Sequence, residues 1–370
     1  MKAFKWIKIW FLIIIASPLL ALFNYLIDPY GFNKYIMINN INAIKEDNTP
    51  FTIKYKMPRL REGGWDNLIL GTSRIGGMDT VTANKYLGGK TFTMSQPASA
   101  MPIQFDSFLY AIKFNNVKNI VYGIDFMTFN KNLKFNDDYL QLKDELQSFG
   151  RFDTYDIYFN IKTLLKSIQT IINNRSDAPK LYIFYSESGM RNYPNFKQEL
   201  LNGDLNLETK IHKHLQAYFK KDGIYANYEY STQYMQMFET IVKHCHENNI
   251  HLYVYIPPMY VEHFYAIGSA GLKGEFEKFK KELAKITDFI DFTGVNSITS
   301  NKNNYWDSSH LRKEHTGTIM EKVIKNRPTE GHQDFGVRVT MDNIEEHLKK
   351  QEGQYKKINL NKILDISYNE

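Results

Sequence analysis

Short aliphatic runs that stop at a turn residue recur along this chain, each followed by a segment of helical periodicity. That alternation restricts the chain to the α/β class, with a mostly parallel sheet covered by helices. The first run is Asn67-Leu68-Ile69-Leu70-Gly71-Thr72-Ser73-Arg74. Residues 68–70 have the length and branching of a strand buried on both faces. Gly71 permits the sharp turn that ends it. Residues 90–94, 119–125, 251–258 and 289–293 supply the remaining strands, about five in all. Helical patterns fall at 80–86, 102–114, 234–247, 276–286 and 316–325. The expected architecture is three layers, α/β/α, around a flavodoxin-like sheet.

The rhythm breaks between residues 130 and 232, which read as a largely helical insertion able to cap the sheet edge. Within it, residues 186–193 form a polar loop that either lines a pocket or faces solvent. The α/β domain with this insertion spans 66–330 and is followed by a polar C-terminal extension, 331–370, with a helix near 341–350. Ahead of it, 29–65 reads as a polar, irregular neck. Residues 1–28 carry an apolar run interrupted only by Ser17, Pro18 and Asn24 from residue 9 onward, with Lys2, Lys5 and Lys8 before it. A run of that length and flanking charge predicts one N-terminal transmembrane helix, N-terminus inside, with everything after Asp28 extracytoplasmic. A cleaved signal peptide is the rival reading, and Leu20-Ala21-Leu22 makes a poor cleavage site.

Composition removes several function classes. The 46 basic and 40 acidic residues leave a net charge of +6, scattered without a dense Lys/Arg block, which argues against nucleic acid as a partner. A single cysteine, Cys245, rules out an intrachain disulfide and a cysteine-based zinc site. His244 and His246 flank it on a predicted helix, and residues two apart on a helix point away from each other.

In open α/β sheets ligands sit beyond the carboxyl ends of the strands, which is where Ser73 falls. Its hydroxyl suits a nucleophile or the N-cap of the following helix. A serine nucleophile needs an imidazole to take its proton and a carboxylate to hold that imidazole in the right tautomer. Asp307 and His310 lie in one loop after the last expected strand, so a single segment supplies both. Taken alone, Asp307-Ser308-Ser309-His310 also reads as a helix-capping loop. His212 and His214 lie in the insertion, His263 has only adjacent Glu262 as a carboxylate, and His315 begins a helix, so they rank below His310.

These blocks resemble the SGNH (GDSL-type) hydrolases, and more narrowly their membrane-anchored, DltD-like and alginate O-acetylation-like branch. Gly71-Thr72-Ser73 matches that family's first block and Asp307-Ser308-Ser309-His310 its last. Asp28-Pro29-Tyr30 after the anchor and Gly123-Ile124-Asp125-Phe126 at the third strand extend the likeness. The resemblance implies a Ser73–His310–Asp307 triad moving an acyl group, acetyl above all, to or from a cell-envelope glycan, as O-acyltransferase or esterase. It implies a polytopic membrane O-acyltransferase as partner, attachment to the membrane through the N-terminal helix, and no metal or nucleotide cofactor. The chain departs from the family pattern at the oxyanion hole. Met94-Ser95-Gln96-Pro97 lacks the second-block glycine, and Asp125 stands where the family has Asn. Thr72, Arg74, Ser95, Gln96 and Asp125 are therefore the candidates around the reacting oxygen. The competing expectation is a non-catalytic SGNH-like envelope protein that binds glycan or scaffolds its membrane partner.

Overall fold

The computed structural model describes residues 2–33 and 36–355. The central sheet has six strands, one more than expected. They are β1 (Asn67–Thr72), β2 (Thr91–Gln96), β3 (Asn119–Gly123), β6 (His251–Ile256), β7 (Phe289–Asp291) and β8 (Val337–Val339). A separate two-stranded ribbon, β4 (Phe184–Tyr185) with β5 (Arg191–Asn192), lies in the insertion. The sheet order is β2-β1-β3-β6-β7-β8, parallel throughout except for β8, which runs antiparallel to β7. β8 comes from the segment read as a polar extension. Its alternation is too short, Val337-Arg338-Val339, to register as a strand, and only its position at the sheet edge beside Phe289 and Asp291 makes it one.

Alternation along β1 builds two cores. Leu68 and Leu70 face one side with Ile53, Met57, Phe108, Phe238 and Phe279, whereas Ile69 faces the other with Ala83, Val121, Ile319 and Met320. Each fully buried aliphatic contributes roughly 1.5–3 kcal/mol, so strands covered on both faces dominate the stability of the sheet. Ile53 and Met57 belong to the helix Thr52–Arg61, inside the segment expected to be irregular. Its pattern is masked in the sequence by Lys56, Arg59 and Arg61, whose side chains find partners in the fold.

β1 lies between β2 and β3, so the chain leaves its carboxyl end where the connections diverge to opposite sides, the position that opens a crevice. Gly71 and Gly123 face each other there. A Cβ on Gly71, at φ +149, would strike the Gly123 carbonyl oxygen, and one on Gly123 would strike the Ile75 side chain. The two glycines let the turn after β1 fold down onto the strand ends.

The expected transmembrane anchor is corrected: among the described residues, no helix is long and apolar enough to cross a membrane. The helix Lys2–Ile27 contains Pro18, and its last turns are built into the protein. Asn24 is fully buried, donating to the Tyr158 carbonyl at 2.8 Å and accepting from Ser167 Oγ at 2.9 Å. The Asn42 amide donates to the carbonyl of Ile27 at 2.9 Å. Counted as part of an apolar run in the sequence, the end of this helix is held by protein polar groups instead. Trp10, Phe11, Ile14 and Leu19 earlier in the helix remain exposed. The side chains of Lys2, Lys5 and Lys8 and residues 356–370 lie outside the described residues.

Candidate active site

Ser73 opens a single 3-10 turn, Ser73–Ile75, at the carboxyl end of β1. The turn is capped by Thr72, whose Oγ1 accepts from the Arg74 N–H at 3.3 Å, so the serine is not the cap. Thr72 Oγ1 in turn donates to Asp125 Oδ2 at 3.1 Å. Asp125, two residues past β3, also holds Arg74 Nε at 3.2 Å, with both side chains essentially buried. Asp125 and Arg74 thus brace the serine turn. Burial opposes the charge of Arg74, but Asp125 together with Tyr225 and Tyr218 outweighs it and keeps the guanidinium protonated.

Asp307 and His310 meet directly: Nδ1 of His310 lies 2.6 Å from Oδ2 of Asp307. The other carboxylate oxygen, Oδ1, accepts from the backbone N–H groups of Ser309 at 2.9 Å and His310 at 3.0 Å. Burial alone would raise the Asp307 carboxyl. The adjacent imidazoles and these donors outweigh it and hold the group well below the usual carboxylate range. Nε2 of His310 is buried and has no hydrogen-bond partner, so it is not bonded to the Ser73 hydroxyl. Gly77, two residues past the serine turn, abuts the histidine loop: a Cβ on it would lie 3.7 Å from the Leu311 carbonyl oxygen.

Ser95 and Gln96 end β2 with their side chains committed elsewhere. Lys56 Nζ donates to Ser95 Oγ at 2.9 Å and to its carbonyl at 2.7 Å. Burial, reinforced by Arg191, drives the Lys56 amine well below its usual value. Gln96 Nε2 donates to Ser107 Oγ at 2.7 Å, on the helix Met101–Phe114. Neither side chain bonds to Ser73, Asp307 or His310.

Two histidines ranked low in the sequence belong to this site. His214 sits on the helix Leu207–Phe219 of the insertion, its ring centroid 5.1 Å from that of His310 and its Nδ1 3.5 Å from Asp307 Oδ1. His263, on the helix Val261–Ser269, is fully buried and bonds Ser308 Oγ through Nδ1 at 2.9 Å. The signal for His214 was the helical spacing of Ile211, Leu215 and Tyr218, which puts residue 214 beside the buried face. For His263 it was a histidine one position from Phe264 in an apolar helix.

His214, Asp307 and His310 are also the one group among the described residues whose ligand atoms, all within 4.8 Å of one another, suit a metal ion. Both Asp307 oxygens and Nδ1 of both histidines already carry hydrogen bonds, which leaves only the Nε2 atoms as uncommitted donors. The pair His244 and His246 gathers no such group, and His244 instead packs edge-on against Phe108 at 5.5 Å.

Beside His310 opens a cavity of about 190 Å³ lined by Phe184, Arg191, Tyr193, Lys197, Trp306 and Lys313. The Tyr193 ring lies 6.2 Å from that of Trp306, inclined by 29°, and 6.0 Å from the His310 ring. The Tyr193 hydroxyl and Arg191 Nε are buried without hydrogen-bond partners. The polar loop 186–193 therefore does line a pocket. No protein-family model matches the chain, and no curated protein sequence matches it.

Proposed function

We propose that the chain is a serine-dependent O-acyltransferase or esterase of the SGNH type that moves an acyl group, acetyl above all, to or from a cell-envelope glycan. The observation that carries this reading is the buried Asp307–His310 pair with Nε2 of His310 left unpartnered, in a fold whose serine turn is braced by Asp125 and Arg74. Asp307 holds the proton on Nδ1, so Nε2 is the basic nitrogen. On binding of an acyl ester, Nε2 accepts the Ser73 proton as Oγ attacks the carbonyl carbon, forming the tetrahedral adduct. His310 then returns the proton to the leaving alkoxide, and the acyl-serine passes its acyl group to a sugar hydroxyl or water. Catalytic hydrogen bonds of this kind commonly tighten only when substrate is present.

Asp125 in its ionised form donates nothing to an oxyanion, and its Oδ2 takes both Thr72 and Arg74 while Oδ1 is buried without a partner. Backbone N–H groups of the Ser73 turn are the donors left for that role. The aromatic pair Tyr193 and Trp306, with Arg191 and Lys313 in the same lining, suits stacking and hydrogen bonding to a sugar ring. A glycan of the envelope requires the domain to work outside the cytoplasm, with a polytopic membrane O-acyltransferase supplying acyl groups. The absence of a Ser73–His310 hydrogen bond favours the second reading, a non-catalytic glycan-binding protein on the same scaffold. Hydrolysis of p-nitrophenyl acetate separates them. The first reading predicts turnover that Ser73→Ala abolishes, and turnover unaffected by that change removes Ser73 as nucleophile.

A further inference from the structure

A chain of buried hydrogen bonds connects the serine turn to the loop of Asp307, and its direction is fixed by chemistry. Arg74 Nη2 lies 2.8 Å from His263 Nε2. A guanidinium only donates, so His263 Nε2 accepts. His263 is fully buried beside Arg74, and burial first, then that cation, keeps its ring neutral. A neutral imidazole with an accepting Nε2 carries its proton on Nδ1, which donates to Ser308 Oγ at 2.9 Å. The Ser308 hydroxyl, itself fully buried, is left with its own proton to give, and His214 Nδ1 lies 2.7 Å away.

We propose that Arg74, His263 and Ser308 form a positioning relay that fixes His214 with its proton on Nε2, so that Asp307 serves His310 alone. The stake is visible in the distances. His214 Nδ1 is 3.5 Å from Asp307 Oδ1, near enough to form an ion pair if it bore a proton. Such a pair would draw Asp307 from His310, whose Nδ1 it holds at 2.6 Å. By occupying His214 Nδ1 with a donated hydrogen bond, Ser308 blocks that competition. The groups facing His214 are Asp307, His310, Arg74 and Arg191, with the rings of Tyr218 and His263 tilted against it. Four separate segments contribute: the turn Ser73–Ile75, the helix Leu207–Phe219, the helix Val261–Ser269 and the loop carrying Ser308.

The relay rests on the serine–histidine reading for its catalytic consequence, and its tautomers can be read without any activity. In the full chain labelled with 15N-histidine, at neutral pH, His263 should show a protonated Nδ1 and His214 a protonated Nε2. The reverse tautomer at either ring overturns the proposal. Ser308→Ala should move the His214 proton towards Nδ1 and raise the pH at which that ring titrates. It should lower kcat for p-nitrophenyl acetate between about tenfold and a hundredfold with KM little changed, since the loss is one of alignment. In a His214→Phe background the competitor is gone, and Ser308→Ala should then change neither kcat nor the pH profile. An equal loss in both backgrounds would make Ser308 merely structural and contradict the relay. If the wild-type chain shows the predicted tautomers and no turnover, the acyl-transfer reading fails while the relay's geometry stands.

Discussion

Nδ1 of His310 lies 2.6 Å from Oδ2 of Asp307, three residues away in the same loop. Because Oδ1 is held by two backbone N–H groups of that loop, the carboxylate cannot turn from the ring without losing both. One short segment therefore sets the tautomer and the orientation of the imidazole.

Asp307→Asn keeps the shape and removes the charge. The amide can present its NH2 to the ring and stabilise the wrong tautomer, with Nε2 protonated and unable to accept. Ester hydrolysis should fall by about 10³- to 10⁴-fold with the fold intact. A loss under tenfold would place the carboxylate outside the reaction.

A second buried cluster sets stability away from the site. Asp291, at the end of β7, accepts from Lys280 at 2.7 Å and bonds His347 Nε2 at 2.8 Å, with Lys280 and Asp291 both fully buried. Burial would raise this carboxyl, but Lys280 and then His347 hold it well below the carboxylate range. Asp291→Ala leaves the ammonium of Lys280 buried and unpaired, and should cost about 3–5 kcal/mol in urea unfolding. A cost below about 1 kcal/mol would mean the cluster is no stronger than a surface pair.

His214 and His263 should withdraw their contribution to stability as pH falls below neutrality. Burial lowers the His214 pKa from 6.5 to about 4, and lowers that of His263 well below 6.5. Between pH 6.5 and 4 the unfolded chain takes up protons at these residues that the folded one refuses, so unfolding is favoured as pH drops through that window. Asp307 and Asp291, with depressed values, keep their contribution there and lose it only below the ordinary carboxylate range near 3.8. The melting temperature should be lower at pH 5 than at pH 7.5, with a shallower slope in His214→Phe. Burial raises the Asp138 carboxyl to about 6, which acts the other way in this window, so the test is the difference in slope: a profile unchanged in His214→Phe would mean that ring is not buried neutral.

The parallel strands and the Asp307–His310 loop were legible because they are local: a run of Leu and Ile, a turn glycine, a carboxylate three residues from a histidine. What the sequence hid depends on partners far along the chain. His214 is 96 positions from His310, and its place beside it follows from how the insertion folds back over the sheet, pinned by the Asn130–Tyr230 bridge. His263 looked partnerless because its acceptor and donor, Ser308 and Arg74, lie in other segments. β8 was hidden by its length of three residues, and the helix Ile344–Tyr355 read as a polar extension because His347 and Gln351 are buried against Asp291, a contact no periodicity reveals. The N-terminal run misled for the opposite reason. Its hydropathy was local, whereas Asn24 is seated by Tyr158 and Ser167, which lie more than a hundred positions away.

Reaction of the full chain with a fluorophosphonate probe, followed by peptide mapping, bears most directly on whether Ser73 is a nucleophile served by His310. The account predicts covalent modification at Ser73, lost in Ser73→Ala and strongly slowed in His310→Ala. A folded protein that stays unmodified, or that is modified equally in all three forms, would contradict it.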